Sequence, residues 1–183
     1  MDIIEIIAQA VGLAALAVNA ISYQIKRKER ILFCHFMVCL LYCINFFMLG
    51  AVVGGLTNLI GLLRSLVYMN RERWHGGSPL WLASFIVMYV LAFVLSFTVF
   101  GQEASAYNLT FGVIRIIGAV LFTVGYHLNG AKNIRRFALI TAPMFLVYAI
   151  SEFSIGAILT EILKMVSTII GIVRFDIKKQ EEK

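Results

Sequence analysis

The sequence predicts an all-α membrane protein with seven transmembrane helices, from its composition, its long apolar segments and the placement of its cations. Of the 183 residues, 61% are hydrophobic and 14% are charged, and the mean hydropathy is +0.89. Soluble domains carry about 45–50% apolar and about 25% charged residues. A soluble fold of this size could not bury so much apolar surface. We therefore expect the lipid bilayer to be the main partner of the chain.

Seven segments are long and apolar enough to cross a membrane, which takes about 20 mostly apolar residues. Helix is the expected conformation, because open strands in hydrocarbon leave backbone groups unpaired and the alternation of a lipid-facing barrel is absent. The first segment has Asp2 and Glu5 where a signal peptide would carry basic residues, so we predict a membrane helix there. The predicted spans are Ile3–Ile25, Ile31–Leu49, Ala51–Met69, Leu80–Phe100, Leu109–Leu128, Phe137–Phe153 and Ile155–Val173.

The cations are gathered at alternate ends of these spans. The N-terminus and the connections 50–55, 101–108 and 151–154 contain no Lys or Arg. Because short cytoplasmic loops carry the excess of Lys and Arg, the pattern predicts an outside N-terminus and a cytoplasmic C-terminus. It also accounts for the net charge of +6 without nucleic acid as a partner. Thirteen of the sixteen cations fall on the predicted cytoplasmic side: Lys26, Arg27, Lys28, Arg30, Arg71, Arg73, Lys132, Arg135, Arg136, Arg174, Lys178, Lys179 and Lys183.

The chain also aligns with itself after a shift of 106 residues. This predicts one membrane domain, residues 1–175, made of a first repeat (3–70), a linking helix (80–100) and a second repeat (109–174), followed by a charged cytoplasmic tail (176–183). Because an odd number of helices separates equivalent elements, the 3+1+3 order predicts parallel repeats about an axis along the membrane normal. The identical pairs are Arg30/Arg136, Leu40/Leu146, Tyr42/Tyr148, Phe47/Phe153, Gly50/Gly156, Ala51/Ala157 and Val67/Val173.

Four short stretches of the sequence are AQAVG (Ala8–Gly12), KRKER (Lys26–Arg30), SIGAILTE (Ser154–Glu161) and VRF (Val173–Phe175). These stretches resemble the YgjV family of small bacterial inner-membrane proteins, and the 3+1+3 order resembles PQ-loop and SWEET-type transporters. The resemblance implies a location in the bacterial cytoplasmic membrane and a SWEET-like fold, but no substrate. The Pro-Gln pair of PQ-loop proteins is replaced by Tyr23-Gln24 and Tyr126-His127, so a proline hinge is not implied there. Pro143 offers either another hinge or a static kink.

Polar residues inside the spans are the candidate site. An ionisable residue at this depth costs about 2.5–3.5 kcal/mol on insertion scales and tends to mark function. Arg64 either snorkels to the cytoplasmic interface or faces the interior. Glu161 and Lys164 share a helix face and form either a mutual ion pair or, with Arg115, an interior cluster that opens outward. Asn58 aligns with Lys164 under the repeat, so we predict Asn58, Arg64, Arg115, Glu161 and Lys164 as substrate-binding residues.

Other polar residues of the spans are assigned to packing or to the interface. Tyr42 and Tyr148 either line a path or pack at helix contacts. The thiols of Cys34, Cys39 and Cys43 match no metal or redox spacing and are expected to act as small apolar groups. His35 and His127 are expected at the cytoplasmic boundary, with no assigned proton role.

The sequence predicts a transporter and not an enzyme. It holds no Gly-rich phosphate loop, no metal-ligand cluster and no nucleophile elbow, so no catalytic residue, metal or cofactor is expected. The predicted function is a small-solute transporter or facilitator that works by alternating access, for an anionic or carboxylate-bearing metabolite. The alternative is a non-transporting membrane scaffold or sensor.

Overall fold

The computed structural model describes residues 3–22 and 24–177, and these residues form seven long α-helices. All seven are long and apolar enough to cross a membrane, which confirms the predicted all-α, seven-span fold class. A π-helical turn, Val173–Ile177, follows the last helix. The rest of the predicted tail, residues 178–183, lies outside the described residues. The helices are α1 Ile3–Ser22, α2 Lys28–Met48, α3 Val52–Met69, α4 Pro79–Thr98, α5 Ala106–His127, α6 Ala131–Ser151 and α7 Ile155–Ile172.

Several helices begin outside the predicted spans. α2 starts at Lys28 and has Arg27 as its N-cap residue, so its first turn contains Lys28 and Arg30. α6 starts at Ala131, and its first two turns contain Lys132, Arg135 and Arg136. α5 starts at Ala106, where the Ser105 hydroxyl accepts a hydrogen bond from the backbone N–H of Asn108. Hydropathy marks only the part of a helix that lies in hydrocarbon, whereas a helix continues into the interface until a cap or a turn ends it.

Six of the helices close a ring, and α4 packs beside it. The chain neighbours α1–α2, α2–α3, α5–α6 and α6–α7 pack together, and the ring closes through contacts of α1 with α7 and of α3 with α5. α4 packs against α3 and α5. The neighbour pattern of α1–α3 is therefore the same as that of α5–α7, which is the pattern that two three-helix units would produce. The repeat relationship and the orientation in the membrane stay predictions.

Two tyrosines connect the two halves of the ring in a reciprocal way. The Tyr42 hydroxyl of α2 donates to the backbone oxygen of Gly156 at 3.2 Å and also bonds the Thr160 hydroxyl on α7. The Tyr148 hydroxyl of α6 accepts a hydrogen bond from the backbone N–H of Gly54 on α3 at 2.8 Å. Tyr42 and Tyr148 are 106 residues apart, as are Gly54 and Thr160. Both hydroxyls hold helices together, as expected for the packing interpretation.

Close backbone approach and a buried amide hold α1 against α2 and α7. The Cα of Gly156 lies so near α1 that an added Cβ would meet the carbonyl carbon of Gly12 at 2.6 Å. Asn45, fully buried, donates to the backbone oxygen of Ala8 at 2.7 Å and accepts from the Ser154 hydroxyl at 3.0 Å. Polar side chains at such contacts are a common means of joining membrane helices. This corner of the ring is therefore tightly packed.

The apolar interior is divided into two clusters along the bundle. One cluster centres on Tyr68, Phe85 and Tyr126, and the other on Phe46 and Tyr148. Residues of both clusters line a single cavity, which also contains most of the buried charge. The fold thus places a polar chamber between two apolar layers.

Candidate functional site: a cationic cavity in the bundle

All five predicted site residues line one cavity. Its volume is about 70 Å³, and one water molecule needs roughly 10–15 Å³ of such space. The chamber therefore has room for several waters or a small ion. The predicted residues that line it are Asn58 and Arg64 of α3, Arg115 of α5, and Glu161 and Lys164 of α7. Their role in binding a substrate stays a prediction.

Arg115 lies near the middle of α5 with most of its donors unused. The side chain is 8% exposed, and its Nε donates to the Thr57 hydroxyl at 3.0 Å. Its Cζ lies 4.6 Å from the ring centroid of Phe145 and 5.3 Å from that of Tyr148. Within the described chain its terminal guanidinium nitrogens donate to no protein acceptor. Four N–H donors of a buried cation are therefore left for water or for an anion in the cavity.

Glu161 and Lys164 form the ion pair that their spacing predicts, and both line the cavity. The Lys164 ammonium contacts a Glu161 carboxylate oxygen one helical turn away. Both side chains are buried, and Lys164 is only 3% exposed. The two interpretations of this pair are therefore compatible, because the pair compensates two buried charges and also presents them to the chamber.

Arg64 is buried and does not snorkel to the interface, so that alternative is wrong. It is 4% exposed, and its terminal nitrogen donates to the hydroxyls of Tyr89 and Thr123, each at 3.2 Å. Its Cζ lies 4.5 Å from the ring centroid of Tyr126. The Nε of Arg64 is buried and has no hydrogen-bond partner. The sequence could not reveal this, because rings and hydroxyls of α4 and α5 hold the guanidinium in place of a carboxylate.

Asn58 contributes a carbonyl oxygen to the chamber. Its amide nitrogen donates to the backbone oxygen of Gly54 at 2.8 Å, one turn earlier in α3. That bond uses one of the two amide N–H donors within α3 itself. Within the described chain the carbonyl oxygen has no protein partner, so it can accept a hydrogen bond from water or from a protonated ligand.

Two phenylalanine rings connect the three cations. The Lys164 Nζ lies 4.9 Å from the ring centroid of Phe145 and 5.9 Å from that of Phe122. Arg115 lies over Phe145, and Arg64 lies 5.0 Å from the centroid of Phe122. Ring faces attract cations, by about 2 kcal/mol when the site is desolvated. The cations can thus be tolerated without a full set of carboxylate partners.

His35 and three hydroxyl residues belong to the site although they were not predicted. The expectation of an interfacial His35 is wrong, because it is 3% exposed and lines the cavity. Thr57 and Tyr89 line it as well, and the hydroxyl of Tyr126 bonds His35. Helical spacing could have revealed His35: with Cys39, Tyr42 and Phe46 it follows a 4-3-4 pattern on one face of α2, and all four line the chamber.

The cavity has a formal excess of two positive charges. Arg64, Arg115 and Lys164 contribute the cations, and Glu161 is the acidic residue among the lining side chains of the described chain. Coulomb interactions in a protein interior are several times stronger than in water. The electrostatic environment of the chamber therefore favours anions.

Comparison with known proteins identifies the family. The family model Imp-YgjV, described as a bacterial inner membrane protein, matches residues 6–179. No curated protein and no solved structure matches the chain, so the likeness to SWEET and PQ-loop transporters stays a prediction. The match covers nearly all of the sequence, and the chain belongs to the Imp-YgjV family of bacterial inner membrane proteins.

Proposed function

We propose that the protein moves a small anion, of the carboxylate class or of similar charge and size, across the bacterial inner membrane. The observation that carries this proposal is the unpaired guanidinium of Arg115 in a chamber with more cations than carboxylates. Glu161 compensates Lys164. Arg64 and Arg115 are held by hydroxyls and ring faces, which leaves their charge uncompensated until an anion enters.

A merely structural role explains this arrangement less well. A buried arginine costs free energy in a membrane, and a helix bundle needs none at its centre for packing. The guanidinium fork is suited to carboxylates and other oxyanions, because it presents parallel N–H donors. A chamber of about 70 Å³ fits a small anion, and a larger metabolite would need the helices to separate.

Movement of the anion would require access from each side in turn. The ring of helices offers two seams for this, between α1 and α7 and between α3 and α5. Rocking of the unit α1–α3 against the unit α5–α7 would open one end of the chamber while closing the other. This is the alternating access described for repeat-built transporters.

The test is binding followed by transport. Purified protein in lipid nanodiscs is heated with sodium salts of acetate, methanesulfonate, sulfate and succinate, and with uncharged sugars and choline chloride as comparison solutes. We expect at least one anion to raise the melting temperature, since a ligand at 100 times its Kd stabilises by about 2.7 kcal/mol. Arg115→Met should remove the shift, whereas Arg136→Met, a change at an exposed cation, should keep it.

Vesicles then decide between a transporter and the alternative. An anion that stabilises the protein should enter proteoliposomes faster than empty liposomes, and Arg115→Met should abolish the difference. Binding without uptake would favour a sensor. Absence of any anion-dependent shift would refute the proposal and favour a scaffold.

A further inference from the structure

We propose that His35 is a proton-binding residue of this site, and that a proton and the anion are bound together. The inference rests on the proposed anion site. It adds a partner for that site, a proton, and a residue that holds it. The geometry of His35 in the cavity carries the argument.

The imidazole is held so that either protonation state is satisfied. The Ser22 hydroxyl donates to the backbone oxygen of Asn19 at 2.7 Å, so its lone pairs accept from the Nε2–H of His35 at 3.2 Å. The Nδ1 atom then accepts from the Tyr126 hydroxyl. When Nδ1 gains a proton, the Tyr126 hydroxyl needs only to rotate and accept the new N–H, because a hydroxyl is both donor and acceptor.

The ring of Phe122 brings His35 together with two cations. The His35 ring centroid lies 5.7 Å from the ring centroid of Phe122. The Arg64 Cζ lies 5.0 Å and the Lys164 Nζ 5.9 Å from the same Phe122 centroid. These distances put each cation within about 12 Å of His35. The charged and titratable groups that line the cavity with His35 are Arg64 on α3, Tyr89 on α4, Arg115 on α5, Glu161 and Lys164 on α7, and Cys39 and Tyr42 on its own helix. Tyr126 on α5 and Ser22 on α1 bond the imidazole directly, and Asn19 of α1 also lines the cavity.

Anion and proton therefore bind cooperatively. In the empty chamber a proton on His35 would add a third excess positive charge. An anion bound by Arg64 and Arg115 offsets that repulsion, and by linkage the proton strengthens anion binding by the same factor. A unit charge at about 10 Å and an effective dielectric constant near 20 changes affinity on the order of tenfold.

Coupling of this kind has a direct consequence for transport. An anion that enters the cytoplasm moves against the membrane potential. A proton carried with it cancels one charge, so a monoanion would cross with no net charge. The loaded chamber then differs from the empty one by one anion on the arginines and one proton on Nδ1 of His35.

The experiment measures anion affinity against pH with ligands that do not titrate. Methanesulfonate and sulfate keep their charge between about pH 5.5 and about pH 7.5, so any pH dependence of binding belongs to the protein. We expect the affinity of the wild-type protein to rise on the order of tenfold over this interval as pH falls. His35→Gln should flatten the profile, and His75→Gln, at an exposed position, should keep it.

Proton uptake by the wild-type protein provides a measurement that needs no variant. In weakly buffered solution, addition of methanesulfonate should raise the external pH as the protein takes up a proton.

A profile of anion affinity against pH that stays steep in His35→Gln but is flat in Glu161→Gln would assign the proton to Glu161 and overturn the inference. Binding of anions without pH dependence or proton uptake would overturn it as well, while leaving the anion site intact. Absence of binding at every pH would instead refute the proposed function.

Discussion

The buried pair of Glu161 and Lys164 leads to a prediction about stability that is independent of transport. Lys164→Met keeps the length of the side chain but removes its charge. It leaves the Glu161 carboxylate, which is 8% exposed, without the ammonium that it contacts. Breaking a buried ion pair by removing one partner costs about 3–5 kcal/mol. In a chain of this size 1 kcal/mol shifts the melting temperature by about 2–4 °C, so we expect a decrease on the order of 10 °C.

The double variant Glu161→Gln with Lys164→Met is the matched control. It removes both charges, and replacement of a whole buried pair by neutral groups is often nearly neutral. We therefore expect the double variant to melt closer to the wild type than Lys164→Met does. Thermal unfolding of the three proteins in nanodiscs without added anion measures this. Equal melting temperatures for the wild type and Lys164→Met would refute the idea that Lys164 compensates a buried carboxylate.

Three further changes test the packing and the pH dependence. Gly156→Ala should destabilise by about 1–3 kcal/mol because the new Cβ would meet backbone atoms of Gly12 at 2.6–2.7 Å; Gly12→Ala, whose Cβ has a nearest contact at 3.2 Å, should cost less in the same melting assay. Tyr148→Phe should cost about 1–3 kcal/mol in thermal unfolding, because it leaves the backbone N–H of Gly54 without its acceptor; no loss would contradict the bond. Burial raises the pKa of Glu152, beyond the end of α6, more than the nearby Tyr148 hydroxyl and Arg115 lower it. The contribution of Glu152 to stability is thus present below the unfolded pKa of about 4.3 and is lost as pH rises through the folded pKa. The difference in melting temperature between the wild type and Glu152→Gln should change in that sense between acidic and neutral pH, and a constant difference would refute it.

The helices could be predicted from the sequence better than their ends. Apolar segments of about 20 residues have one available structure in a bilayer, so the existence of all seven helices follows from composition and length. Their ends depend on local bonds that hydropathy does not register. Ala131 begins α6 although Lys132 and Arg136 follow it, because long cationic side chains can extend along a helix toward water.

The candidate site could be predicted where charge alone identifies it. Charged residues in apolar spans are conspicuous, and Arg64, Arg115, Glu161 and Lys164 all line the cavity. The sequence predicts His35 at the interface because it lies only four residues after Ile31, the predicted start of the second span, a depth at which either location is possible. The rotation of α2 about its own axis decides whether His35 faces the interior of the bundle. The sequence indicates this rotation only when His35 is considered together with Cys39, Tyr42 and Phe46, which lie on the same face of the helix.

At the 106-residue shift a contact between helices recurs in both halves of the sequence, whereas the charged residues of the cavity do not. One contact that holds the ring recurs at the 106-residue shift, because Tyr42 bonds Thr160 and Tyr148 bonds Gly54. The charges of the chamber do not repeat, because Asn58 corresponds to Lys164 and Arg64 to Ile170. A single set of donors, and not one set in each half, is what the proposed binding of one small anion would require.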